Sequence, residues 1–196
     1  MLTAKDKLFQ TLVDYVKRGE DLGQIALSKI ARDAEIGKST VYEYFSSKNE
    51  MIVETYRYLL KHYESILLQD LHVMDFKGAL YEELRRTMLV MKDARSVMEV
   101  IMNQPHHQSL RIDLKLKPEI QAIQEAMEKR FANIMYLGVV EGIFPMRESK
   151  KTTTYVIRAL ITGLMFQFIN DELDLSEDEL LNLIFEEIVR VVQASA

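Results

Sequence analysis

The side chains whose types and spacing suggest chemistry are Ser28, Lys38, Ser39, Thr40, Tyr42, Tyr44 and Lys48. Ammonium and hydroxyl groups hold phosphate oxygens, and hydroxyls and aromatic edges also meet base edges and thymine methyls. Other readings compete for the same residues. Gly37-Lys38-Ser39 matches the tail of a phosphate-cradling loop, but that loop needs a glycine where Arg32 stands and a strand where the pattern is helical. The tyrosines, taken alone, would be ordinary half-buried aromatics. Elsewhere, His106 and His107 invite a metal reading. Adjacent residues do not share a helix face, no cysteine is present and no carboxylate sits at ligand spacing, so the pair reads as surface loop and no metal is assigned. There is no Gly-x-Ser-x-Gly elbow and no His-Glu-x-x-His helix. No catalytic residue and no cofactor are therefore assigned, and an enzyme is not supported.

The elements that must position these residues follow from periodicity. With seven glycines, three prolines and apolar residues recurring three and four apart, the chain reads as all-α. Helices are expected over residues 3–18, 28–34, 38–44, 48–69, 75–91, 118–140, 150–170 and 176–192, with a loop or broken helix over 103–118. The first carries a stripe of Leu8, Leu12, Val13 and Val16 and ends before Gly19. Leu80, Leu84, Met88 and Met91 share one side of the fifth. Gly142 and Pro145 close the sixth, and Ser176 with Glu179 makes a capping box for the last. The second and third helices, of about two turns each, cannot be stable alone. Ile30, Ala31, Ala34, Ile36, Val41 and Phe45 must pack jointly against the first helix. That is a helix-turn-helix, whose second helix can enter a major groove. Val41 and Phe45, four apart, point inward, which turns Lys38, Ser39 and Tyr42 outward.

Residues 25–51 resemble the DNA-reading motif of the TetR family of bacterial transcription regulators. The residues that carry the resemblance are Ile30-Ala31, Ala34, Ile36, Thr40-Val41-Tyr42, Tyr44-Phe45 and Lys48 with Glu50. Chain length, the N-terminal place of the motif and an all-helical remainder fit as well. The resemblance implies an N-terminal three-helix DNA-binding domain, residues 1–48, and a C-terminal helical effector-binding and dimerisation domain, residues 49–196. It further implies a homodimer whose reading helices enter the two halves of a palindromic double-stranded operator, with a small-molecule effector changing their spacing. Carried over by position, Ser28 caps the first motif helix and bonds a phosphate, while Lys38, Ser39 and Thr40 face base edges or nearby backbone. Tyr42 reaches thymine methyls or a phosphate; Tyr44 and Lys48 grip backbone at the start of the long fourth helix, where amides attract phosphate. The sequence departs from the family in two places: Glu35 stands where glycine is usual, and Gly37 where a capping serine is frequent. Glu35, if left-handed, costs about 1 kcal/mol relative to glycine. Glu43 opposes phosphate contact unless it accepts from a cytosine amino group.

In the C-terminal part, eleven methionines chain-wide are mostly core filling, but flexible thioethers also suit an adaptable apolar pocket. Met88, Met91, Phe131, Met135 and Phe166 are the candidate lining of an effector site. Arg158 is a candidate partner for an acidic ligand group, with a salt bridge to a carboxylate as the competing reading. Ala159, Thr162 and Gly163 allow close approach of a second helix, and with Ile184 and Ile188 they form the expected dimer interface, a four-helix bundle with their symmetry mates.

Charge narrows the reading. The chain of 196 residues carries a net charge of -5, which argues against coating nucleic acid by bulk charge. Residues 1–60 hold nine basic and nine acidic side chains, so the acidity lies in the remainder. Nothing approaches about 18 uninterrupted apolar residues, the best stretch being 159–166, and charges at residues 5–7 stand where a signal peptide has its apolar region. A cytoplasmic protein with no membrane partner is expected. The account is a ligand-responsive DNA-binding regulator, a repressor released by a small, hydrophobic effector. Its alternative is a helical ligand-binding or protein-interaction module with a decayed DNA head.

Overall fold

A computed structural model describes residues 3–73, 75–103, 106–146 and 151–194, with side chains for all of these except 96–114. Among the described residues there are eight α-helices and no strand: α1 Ala4–Lys17, α2 Leu27–Asp33, α3 Lys38–Tyr44, α4 Lys48–Leu67, α5 Phe76–Asn103, α6 His106–Val140, α7 Lys151–Ile169 and α8 Glu177–Ala194. They form two compact units, residues 1–66 with 93–124, and residues 67–92 with 125–196. Position 48 falls inside the first unit, because α4 folds with the short helices.

In the first unit, Thr3 caps α1. Its hydroxyl accepts from the Asp6 amide at 3.2 Å and its own amide donates to the Asp6 carboxylate at 3.0 Å. Leu8, Leu12, Tyr15 and Val16 form the buried stripe; Tyr15 takes the place expected for Val13, which lies at the flank. Ile30, Ala31 and Ala34 of the α2 region and Val41 and Phe45 of the α3 region are all buried, and α1, α2 and α3 pack on one another. Phe9 joins them to α4, stacked on Tyr58 at 5.0 Å and edge-on to Phe45 at 5.8 Å.

Helix ends recur in one form. After α2, the Glu35 amide donates to Arg32 O and the Ile36 amide to Ala31 O, the paired closure that needs a left-handed residue between. That residue is Glu35, at φ 55°. After α6 the same closure uses Gly142 at φ 75°, and after α7 it uses Asp171 at φ 58°.

The second unit is built on Phe76, Leu80, Leu84 and Met88 of α5, packed with Ile134, Phe144, Leu181, Ile184 and Ile188. Phe144 lies edge-on to Phe76 at 4.9 Å. Its ring also presses on Gly138, where a Cβ would come within 2.5 Å of it. One charged pair is buried here: Arg130 Nε donates to Glu83 Oε2 at 2.7 Å. Arg130 and Arg86 both donate to the Gln69 carbonyl, and Arg86 also donates to Asp70 O at 2.7 Å, tying the chain just beyond α4 to α5 and α6.

Two expectations are corrected. The stretch 103–118 is helical backbone from His106 onward, and Pro118 sits inside α6. Pro118 is itself exposed, and its missing N–H leaves one bond of the helix ladder unmade. The side chains of His106 and His107 lie outside the described residues. The fifth helix continues past residue 91 to Asn103. One helix, α7, is long and apolar enough by length and composition to cross a membrane, with mean hydropathy 1.2. It carries Arg158 at its middle and buries fully only Thr153, Ile157 and Met165.

Candidate nucleic-acid interface

The geometry of α3 follows from its two buried anchors. Val41 and Phe45 are 2% and 4% exposed, and each buried apolar side chain of this size contributes about 1.5–3 kcal/mol. Gly37 caps the helix with no side-chain bond, and Phe45 ends it by turning extended. The rest of the helix is thereby turned outward. Lys38, Ser39, Tyr42, Glu43 and Tyr44 are exposed, Tyr42 most among the aromatics of this helix at 54%; Thr40 is half-buried. The first amides of α4 lie just beyond, capped through Ser47: its hydroxyl accepts from the Glu50 amide at 3.1 Å, while Glu50 accepts from the Ser46 amide at 2.7 Å. The Ser47-x-x-Glu50 spacing carried this signal in the sequence, and it went unread.

Two of the seven expected contact residues are placed differently from expectation. Ser28 is exposed but lies inside the first turn of α2; the N-cap is Ala26, which makes no side-chain cap bond, so Ser28 does not cap the helix. Lys48 turns inward, its Nζ donating to Gly23 O at 2.8 Å and Ile25 O at 2.6 Å. It braces the approach to α2, because a half-buried ammonium with two carbonyls in reach satisfies itself there. Glu35 is left-handed, and its carboxylate is paired with Lys7 Nζ at 2.8 Å. The Lys7 hydrogen bond holds that carboxyl below its ordinary pKa, so the charge persists but is answered within the protein.

Beside α4, a cleft of about 360 Å³ is lined in part by Ser46, Ser47, Glu50, Glu54, Arg57 and Lys115. Its arginine is engaged within the protein, Arg57 donating to Glu119 at 2.8 Å and to Glu54. Among the described residues no group of His, Cys, Asp or Glu is arranged to hold a metal.

In the second unit, Met88 lies in the core, with Met91, Phe131 and Met135 partly buried against the same cluster. Phe166 is 57% exposed, because Met165 is the inward residue of that turn of α7. Arg158 is on the surface, paired with Glu128 at 3.0 Å, the competing reading of that residue. Neither belongs with the core methionines. Ile184 and Ile188 are fully buried in the core of their own chain. The partly exposed apolar residues of α8 include Leu183, Phe185, Val189, Val191 and Val192. Ala159, Thr162 and Gly163 are exposed.

The comparison with known proteins rests on the segment just described. Residues 22–55, from before α2 into α4, match the family model of bacterial regulatory proteins, tetR family. The match spans the helix-turn-helix and the start of α4. The rest of the chain follows the same fold. A TetR-family transcriptional regulator from Thermus thermophilus superposes with a TM-score of 0.55 at 14% identity, over 96% of this chain and 98% of that one. A TetR transcription regulator from Haloarcula marismortui gives a TM-score of 0.63 at 13% identity, over 97% of each chain. A third, from Marinobacter aquaeolei, gives 0.59 at 16% identity, over 96% of this chain and 95% of that one. No curated protein sequence matches significantly. At these identities the likeness establishes the fold alone, a TetR-like arrangement with an N-terminal helix-turn-helix and a helical C-terminal part.

Proposed function

We propose that the protein is a homodimeric, effector-responsive repressor that reads a palindromic operator with α3. The observation that carries this reading is the exposure of Lys38, Ser39, Tyr42 and Tyr44 on a helix whose other face is locked by Val41 and Phe45, inside the tetR-family segment. Side chains of these types on a protruding helix meet phosphates and base edges in a major groove about as wide as the helix. Thr40 stands at the side of the same face, and Ser28 supplies a further hydroxyl for a phosphate. Residues 1–48 form the reading head and residues 49–196 the effector-binding and dimerisation part. The protein works in the cytoplasm, where the operator is.

Dimerisation is assigned to α7. Tyr155, Val156, Ala159, Thr162, Gly163 and Phe166 are all exposed and share one side of the helix. A Cβ at Gly163 would meet nothing in its own chain, so the glycine is not required by packing within the protomer. Effector binding near Met91, Phe131 and Met135 favours a dimer whose reading helices no longer lie one duplex turn apart, roughly 34–36 Å. Effector and operator must then weaken each other equally.

Selection of bound sequences from random duplex DNA tests the reading. The wild type enriches a palindrome, and Tyr42→Ala, exposed and therefore folded, enriches it more weakly at the same salt. A wild type that enriches nothing at low salt instead supports a ligand-binding module with a decayed head.

A further inference from the structure

At about 100° per residue, Ser39 and Glu43 each lie some 200° around α3 from buried Val41, which puts them at the pole opposite the anchors. Lys38 and Tyr42 fall on one flank of that pole, and Thr40 and Tyr44 on the other. One of the two residues at the crest of the reading helix, Glu43, is therefore an acid. Glu43 is exposed, and no described residue gives it a hydrogen bond or an ion pair. Glu35, the other acid of this region that departs from the DNA-binding pattern, is neutralised by Lys7. Glu43 is left with its full charge pointing where the groove floor would be.

A carboxylate there cannot contact phosphate, and it is repelled by the acceptors that dominate the groove floor: guanine N7 and O6, adenine N7 and thymine O4. Adenine offers an amino donor directly beside its N7 acceptor. Cytosine offers N4–H₂ with no acceptor on its own major-groove edge. Resting on the reading of α3 as the DNA-reading helix, we infer that Glu43 is a specificity-determining residue that selects a C·G pair in each operator half-site. Its carboxylate accepts from cytosine N4, and it penalises every other base at that position. Lys38 and the tyrosines on the flanks supply contacts that do not depend on that base.

The test is the same selection repeated with wild type, Glu43→Gln and Glu43→Ala. The wild type should enrich cytosine at one fixed position of each half-site, preferred about 5- to 100-fold over other bases. Glu43→Gln should move that position to adenine, because an amide pairs with adenine N6 and N7. Glu43→Ala should leave the position degenerate, the rest of the half-site unchanged and affinity for random DNA raised. Matching thermal melts of the three proteins exclude misfolding as the cause. A motif that both substitutions leave unchanged overturns the base assignment alone. No motif from any of the three proteins overturns the DNA-reading role of α3 and the base assignment with it.

Discussion

Several side chains of the reading head are held by charge rather than by burial. Asp33 accepts from the Tyr15 hydroxyl and from Lys29 Nζ at 3.0 Å, and Lys29 also donates to the Tyr15 oxygen at 2.7 Å. The Tyr15 hydrogen bond, then that of Lys29, holds the Asp33 carboxyl down to about 2. A depressed carboxyl contributes stability above its unfolded value, near 3.9, and loses that contribution as pH falls through the folded one. Denaturation between pH 5 and pH 2 should therefore show a loss of stability on acidification that is smaller in Tyr15→Phe. Equal slopes in the two proteins would mean that the hydroxyl does not hold the carboxylate. The neighbouring residues also show what a sequence can reveal at this scale. The left-handed conformation of Glu35 was legible, because it stands where a short helix must reverse. Its partner Lys7, 28 positions earlier, was not, since only the folded chain brings α1 against the turn. The partners of Lys48 were not legible for the same reason: its type announces a cation, while the carbonyls of Gly23 and Ile25 that accept from it are brought there by tertiary structure.

At the scale of elements, α3 was legible to its last residue, because the Val41–Phe45 pair and flanking Gly37 leave one register open. The segment around Pro118 was not, because the local rule that proline ends a helix does not hold where the chain stays helical on both sides of it. Nor was the tie between α5 and α6. Glu83 and Arg130 are 7% and 15% exposed at their side chains and satisfy each other. Burial pushes the Glu83 carboxyl up, against the pull of Arg130. Removing one partner of such a pair leaves a buried charge alone and costs about 3–5 kcal/mol. Arg130→Ala should lose that much in chemical denaturation, and its deficit should shrink on acidification as Glu83 takes up a proton. The double variant Glu83→Leu, Arg130→Met should recover most of the loss. A single variant within about 0.5 kcal/mol of the wild type would show the pair to be dispensable.

At the scale of the whole molecule, the exposed apolar side of α7 is the feature a single chain leaves unresolved. Ala159, Thr162 and Gly163 stand out in the sequence as small residues at helical spacing, and all three are exposed. The burial of Ile184 and Ile188 was not legible, because helical spacing alone does not say which apolar residues of α8 the chain's own core takes. Gly163→Arg should turn a dimer into a monomer in sedimentation without lowering the melting temperature of the protomer, since no atom of its own chain lies near that Cβ. An unchanged sedimentation coefficient would place the interface elsewhere. Because residues 1–60 carry balanced charge, the proposed operator binding would depend on two heads acting together and on few phosphate contacts. The most direct measurement is a titration of the protein into its selected duplex at several salt concentrations, read by fluorescence anisotropy of labelled DNA. The account predicts saturation at two protomers per palindrome, affinity falling linearly in log–log form with salt, and loss of saturable binding in Gly163→Arg. Binding of one protomer per site, or none even at the lowest salt, would contradict it.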